Sequence, residues 1–355
     1  MNTKSRFADK LSEALFLEIK KENIKSLFHI ESDEDIYIPV KASSIVGKVK
    51  TEKNVGQLPV SFFIEGMFYV MGADEKFKFN DVYTNILINL KESDKFIKGK
   101  IAENIKHKNY EDAYILIKGL CKIEDSVEIY DKILIIVDEL RKLDKSYEDE
   151  ELQIIEKLKK YENYPMPYFY EALIMKERGD FDKALFCINT YISSGGEESL
   201  DITEFKESLK LIINYEKGKE ILYDMPKEAL SFLLPLLDEF GDDATLYYYI
   251  AIAYRILENY EKAIYYLNES ISIDSSIVEV VNELGINYAS LGDYETAIGY
   301  LRKAFEATKS IEICTNLIMC YLNDKDIKNA KLHLEIAKKI NPEDEIVVQL
   351  SEIIK

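Results

Sequence analysis

The strongest constraint on this chain of 355 residues is a phrase that recurs at a fixed distance. Asn259-Tyr260-Glu261-Lys262-Ala263, Asp293-Tyr294-Glu295-Thr296-Ala297 and Asp326-Ile327-Lys328-Asn329-Ala330 are versions of one segment. Their alanines lie 34 and then 33 residues apart. About eleven residues before each comes a second phrase: Ala251-Ile252-Ala253-Tyr254, Gly285-Ile286-Asn287-Tyr288 and Ile318-Met319-Cys320-Tyr321. A period of this length marks an array of stacked helix pairs, each covering the apolar face its neighbour leaves open. Small residues at recurring positions let paired helices approach closely. Asn259, Asp293 and Asp326 stand where an N-cap is needed, since their side chains can accept from the free amides of the following helix.

The stretch from 244 to 342 resembles the tetratricopeptide repeat. Ala251 and Gly285 match the family's small residue of helix A, and Ile318 replaces it in the third copy, which predicts a slightly wider pair there. Leu267, Leu301 and Leu334 match the large apolar residue of helix B. Ser270, Ala304 and Ala337 match its second small position. The closing proline occurs once, at Pro342. The family's tryptophan is absent, with Tyr247, Val281 and Cys314 in its place. The resemblance implies an all-α fold, a right-handed α-solenoid of stacked antiparallel helix pairs.

Earlier copies are fainter. Asn109 to Ala113 and Asp180 to Ala184 repeat the opening of helix B, 71 residues apart, so a degenerate pair must fill the gap. Helices from Ser126 to about Leu143 and from about Glu148 to Glu162 fit it. Ala184 to Ala229 is 45 residues, and the excess is assigned to the flexible tract Ser193-Ser194-Gly195-Gly196-Glu197-Glu198-Ser199. Before the array, Phe7, Leu11, Leu15 and Ile19 predict an amphipathic helix over 4–28. Ile36 to Val40 reads as extended, because Pro39 restrains the residue before it. Gly47, Gly56 and Pro59 punctuate the stretch from there to the first helix of the array. From Pro59 the chain reads as helical again, with Phe62, Phe63, Gly66, Met67, Phe68, Tyr69 and Val70 in a strongly apolar helix paired with Asp81 to Leu90. The organisation is then a less regular N-terminal segment (1–58), an array (59–342) and a C-terminal covering helix (343–355) with a Glu/Lys outer face. The N-terminal segment is either a cap on the first repeat or a separate functional element.

The net charge is −19, with residues 1–57 near +1 and the remainder near −20. No basic stripe offsets this, which argues against nucleic acid and anionic membranes as partners. A basic or neutral protein segment fits better, although acidity also simply keeps a protein soluble. Cys121, Cys187, Cys314 and Cys320 form no paired motif and read as reduced thiols. No secretory leader pattern follows Lys4 and Arg6, and no apolar run is long enough to span a bilayer, so the expected compartment is the cytoplasm. His29, His107 and His333 are scattered, His333 reading as helix packing. No phosphate loop, nucleophile elbow or metal motif occurs, so no catalytic residue, metal or cofactor is expected.

In the tetratricopeptide family the helices A line the concave groove. The resemblance therefore points to Phe169 and Tyr170, Asn214 and Tyr215, Tyr248, Tyr249, Ile252 and Arg255. It adds Glu279, Asn282, Glu283 and Ile286, then Glu312, Thr315, Asn316 and Met319. Family members that clamp a C-terminal carboxylate use Lys and Arg here, whereas this chain has Glu279, Glu283 and Glu312. The asparagines can pair with a peptide unit through both acceptor and donor. The expectation is an adaptor that binds a protein or extended peptide. The alternative is a peptide-sensing regulator resembling bacterial quorum-peptide receptors, although residues 1–57 show no helix-turn-helix.

Overall fold

The computed structural model describes residues 7, 9–28, 30–31, 34–45 and 58–354. It forms two compact units, Met1–Glu204 and Phe205–Lys355. Both are built of helices. The sheet among the described residues is one two-stranded ribbon in the first unit. Residues 46–57, with Gly47 and Gly56, lie outside the described residues, as do Lys4, Arg6 and His29.

The first unit departs from expectation at its start. The stretch 4–28 is not one helix. Phe7, Asp9 and Lys10 are helical, a 3-10 turn, Leu11–Glu13, leads into β1 (Ala14–Ile19), and a separate helix α1 (Lys21–Phe28) follows. β1 pairs antiparallel with β2 (Ile36–Lys41), Ala14 opposite Lys41 and Ile19 opposite Ile36. The four-residue spacing was real, but backbone pairing with the Pro39 segment outweighed it. Strand formation depends on such context more than helix formation does. β2 lies on α2 (Val60–Ala73), where a Cβ at Gly66 would meet the Pro39 carbonyl oxygen at 2.0 Å. Tyr83 of α3 (Asn80–Asn89) donates to the Tyr37 carbonyl at 2.6 Å.

The chief partner of α2 is not α3 but α5 (Tyr110–Leu120), which also packs on α4 (Ser93–Lys106). Gly72 and Gly119 allow the closest approach. A Cβ on either would stand about 2 Å or less from a backbone oxygen of the other helix, that of Ile115 or Phe68. The gap to the next copy holds α6 (Val127–Leu143) and α7 (Glu148–Leu158), as the spacing predicts. Then come α8 (Met166–Glu177) and α9 (Phe181–Ser193). The Ser-Gly tract is a closed turn rather than a linker, with the Tyr191 hydroxyl donating to the Glu197 carbonyl at 3.3 Å. The surplus residues lie mostly in α10 (Leu200–Glu220), 21 residues long against 13 in the later helices A.

The second unit continues through α11 (Pro226–Leu233), α12 (Ala244–Ile256), α13 (Tyr260–Ile273), α14 (Val278–Ser290) and α15 (Tyr294–Thr308). It ends with α16 (Ile311–Asn323), α17 (Ile327–Ile340) and α18 (Glu345–Ile353). The caps fall where the sequence places them. Asn259, Asp293 and Asp326 accept from the amides of Lys262, Thr296 and Asn329. The residue before each cap, Glu258, Gly292 or Lys325, has positive φ, so helix A ends in a left-handed residue every time. A Cβ at Gly285 would meet the Leu301 side chain at 2.5 Å, which shows how closely α14 crosses α15. Ser270 is fully buried and donates to the Ala244 carbonyl at 2.7 Å.

Tyr254 stacks on Tyr266, and Tyr288 on Tyr300, both within 6° of parallel at 5.5 and 5.7 Å. In the last copy Tyr321 meets His333 at 5.1 Å. The same two repeat positions thus carry one ring clasp between helix A and helix B. The closing helix α18 buries Val347 and Leu350, but Ile346, Val348 and Ile353 are exposed. Its outer face carries the exposed Glu345 and Glu352 and is otherwise partly apolar.

Candidate functional site

In the second unit α12 touches α14, and α14 touches α16. Counted from the small residues Ala251 and Gly285 and from Ile318, Tyr248, Asn282 and Thr315 share one position. Tyr249, Glu283 and Asn316 share the next. In α10 the small residue is Gly218, where a Cβ would meet Leu233 at 2.6 Å and the Ala229 carbonyl at 3.5 Å. That register puts Tyr215, not Asn214, at the position of Tyr248. Asn214, Asn282 and Asn316 thus occupy three different repeat positions and form no single row. The spacing between Gly218 and Ala229 is one residue shorter than between Gly285 and Ala297, which shifted the count.

Between α12 and α14, Arg255 Nε lies 2.8 Å from Glu283 Oε2. Both atoms are buried in this ion pair. Asn282 Oδ1 is buried without a hydrogen bond. Burial pushes the Glu283 carboxyl above its ordinary range, Arg255 opposes this, and Glu312 of α16 adds to it. The Tyr248 hydroxyl is pushed up to about 12, chiefly by burial and then by Glu283. Tyr248 and Tyr249 lie 5.7 Å apart. Tyr249 meets Tyr215 edge-on at 6.1 Å, and the Lys219 ammonium stands 5.1 Å from the Tyr215 ring.

Other expected residues are placed differently. Ile252 is buried in the core around Leu230 and Leu233, so it cannot line a groove. Thr315 is buried and donates to the Glu312 carbonyl. Met319 and Glu312 are exposed beside half-buried Asn316. Phe169 and Tyr170 belong to the other unit. Tyr170 is 7% exposed there, and Phe169 packs on it and on Tyr191.

Two features of the first unit had no signal in the sequence. Arg141 is wholly buried and faces Asp138 of its own helix, Glu151 of α7 and Glu177 of α8 at 2.5, 2.6 and 2.7 Å. A cleft of about 850 Å³ is lined from α5, α6, α7 and the α2–α3 turn, with Lys118, Lys122 and Lys157 along it. These residues are scattered in sequence, and no repeat position distinguishes them. All four cysteines are free. Cys187, Cys314 and Cys320 are buried, and Cys121 is half-buried with its thiol pushed up to about 11 by burial. Among the described residues no cluster of His, Cys, Asp and Glu could hold a metal ion. No helix among them is long and apolar enough to cross a membrane.

Capped, closely crossed helix pairs in a periodic series define a helical-repeat protein. Part of this array is assigned by family: residues 244–277 and 278–310 each match the model of the tetratricopeptide repeat. Solved structures similar to it include MamA, at 18% identity over 49% of this chain and 90% of that one, TM-score 0.38. YrrB, described as a TPR protein with an unusual peptide-binding site, is 16% identical over 56% and 96%, TM-score 0.38. The Cut9–Hcn1 hetero-tetramer of the APC/C is 14% identical over 83% and 63%, TM-score 0.37. No curated protein sequence matches the chain.

Proposed function

We propose that the second unit binds an extended protein segment along α12, α14 and α16, as an interaction adaptor. The observation that carries this is Asn282 Oδ1, buried without a hydrogen bond on the helix that also holds Glu283 of the Arg255–Glu283 ion pair. An unsatisfied buried polar group costs about 1–3 kcal/mol, which a ligand recovers by supplying the partner. Asn282 Oδ1 is an acceptor, so the ligand presents donors: backbone amides at Asn282, and cationic or amide groups toward Glu279 and Glu312. Glu279 and Glu312 extend the acidic side, and Tyr248 with Tyr249 supplies aromatic contact. This chemistry suits a basic or neutral segment. Tetratricopeptide repeats serve in protein interaction, which supports the reading.

The test is selection of a segment from a peptide array by the full chain, then calorimetric titration. Asn282→Ala should weaken binding roughly five- to 150-fold, the loss of two hydrogen bonds at about 0.5–1.5 kcal/mol each, with little change in melting temperature. Unchanged affinity in both Asn282→Ala and Asn316→Ala would put the ligand on another face. A short peptide released only when the purified protein is denatured would favour the peptide-sensing regulator over the adaptor.

A further inference from the structure

The cleft of the first unit has an apolar floor and a cationic mouth. Phe7, Ile133 and Leu158 lie along it, all buried, with Tyr130 donating to the Tyr161 hydroxyl at 2.6 Å. Its volume of about 850 Å³ falls in the range of small-molecule sites. Its acids divide into two kinds. Three are committed to the fold. Glu150 is buried and takes Lys118 at 3.0 Å and the Tyr114 hydroxyl at 2.7 Å. Asp74 accepts from the Lys76 amide at 2.9 Å, and Asp125 is bonded to the Tyr161 hydroxyl.

Glu75 is the exception. It stands on the α2–α3 turn, its side chain 55% exposed, and it caps no helix. Lys118 lies 3.6 Å and Lys122 3.3 Å from its two oxygens. Lys157 adds a third positive charge and makes no ion pair of its own among the described residues. Burial works to raise the Glu75 carboxyl, but these three lysines hold it below its ordinary value. An exposed surface carboxylate thus sits between two ammonium groups, with the charge of a third lysine of the same cleft acting on it, at the mouth of an apolar cleft. The chain as a whole carries −19, so composition alone does not produce this cationic mouth.

We propose that this cleft binds a small amphipathic anion, whose acid group takes the place between Lys118, Lys122 and Lys157 that the Glu75 carboxylate now holds. The apolar body lies against Phe7, Ile133 and Leu158. Glu75 then acts as a built-in competitor, and binding requires its side chain to swing outward. The α2–α3 turn permits this, because among the described residues the Glu75 side chain is held by the lysines alone. Cys121 lines the same cleft, but its raised thiol stays protonated, so the site holds its ligand without covalent attachment.

Isothermal titration of the full chain with decanoate tests this, beside thermal melts. Saturable binding near one per chain is expected. Lys157→Glu should weaken it at least tenfold, and Glu75→Gln should strengthen it roughly tenfold, the effect of one charge a few ångströms away. Both side chains lie at the open mouth of the cleft, so both variants should melt with the parent. Lys339→Glu, in the other unit, should leave affinity unchanged. Decanol should show no dependence on Glu75 or Lys157. Binding seen only in Glu75→Gln would still support the competitor role. Absence of saturable binding in both wild type and Glu75→Gln, or equal affinity across all variants, would overturn the proposal.

Discussion

Arg141 serves three carboxylates, yet the neighbours of those carboxylates differ. Lys142 also serves Asp138 at 2.7 Å, and Lys145 also serves Glu177. Among the described residues Glu151 is paired with Arg141 alone, its other oxygen has no hydrogen bond, and Asp138 and Glu177 repel it. Burial is the largest influence, and the carboxyl is raised from 4.5 to about 7. The sign comes from proton linkage. The folded state holds this proton more tightly than the unfolded chain does. The resulting stability is complete below about 4.5 and is lost as pH rises through about 7. Glu151→Gln removes that dependence. Between pH 4.5 and 7.5 the wild type should lose up to about 3 kcal/mol relative to the variant. Urea titrations across that range check it. A difference that stays flat would show Glu151 to be ionised throughout.

At the scale of the helix pair, stability rests on how closely α14 crosses α15. Gly285 faces the Leu301 side chain at 2.5 Å and the Ala297 carbonyl at 3.3 Å from where a Cβ would stand. Gly285→Ala should therefore destabilise by about 1–3 kcal/mol, the usual cost of overpacking. Gly299, in the interior of α15, has nothing within 4 Å of its Cβ position. There the same change should stabilise by about 0.5–1 kcal/mol, since alanine is the better helix former. Thermal melts of the two variants should move in opposite directions. If both rise, the α14–α15 crossing is looser than the geometry requires.

For the whole molecule the governing quantity is charge. With −19 overall and Glu279, Glu283 and Glu312 along the helices A, a basic segment should bind less tightly as salt rises. The screening length shortens from about 10 Å at 0.1 M to about 3 Å at 1 M. Titration of the array-selected peptide across that range should show affinity falling by at least tenfold. Affinity independent of salt would shift the contact to Tyr248 and Tyr249.

Much of the second unit was legible in the sequence, because its interactions are short in range and recur. A cap reaches three residues forward, the Ala or Gly at a crossing contacts the next helix, and each pair meets the pair beside it. The Asn259, Asp293 and Asp326 caps and the Gly285 crossing arise from that locality. The register of Gly218 did not, since a turn one residue shorter moves every later position. The ribbon of β1 with β2 depended on pairing between residues 17 to 27 apart in sequence, which outweighed a helical spacing at Phe7, Leu11, Leu15 and Ile19. The Arg141 cluster and the Glu75 cleft gather side chains from several elements, and no periodic signal marks such meetings. Local periodicity set which segments become helices and how they pair. Only tertiary packing decided which polar side chains from separate elements meet, and those meetings are where binding is proposed.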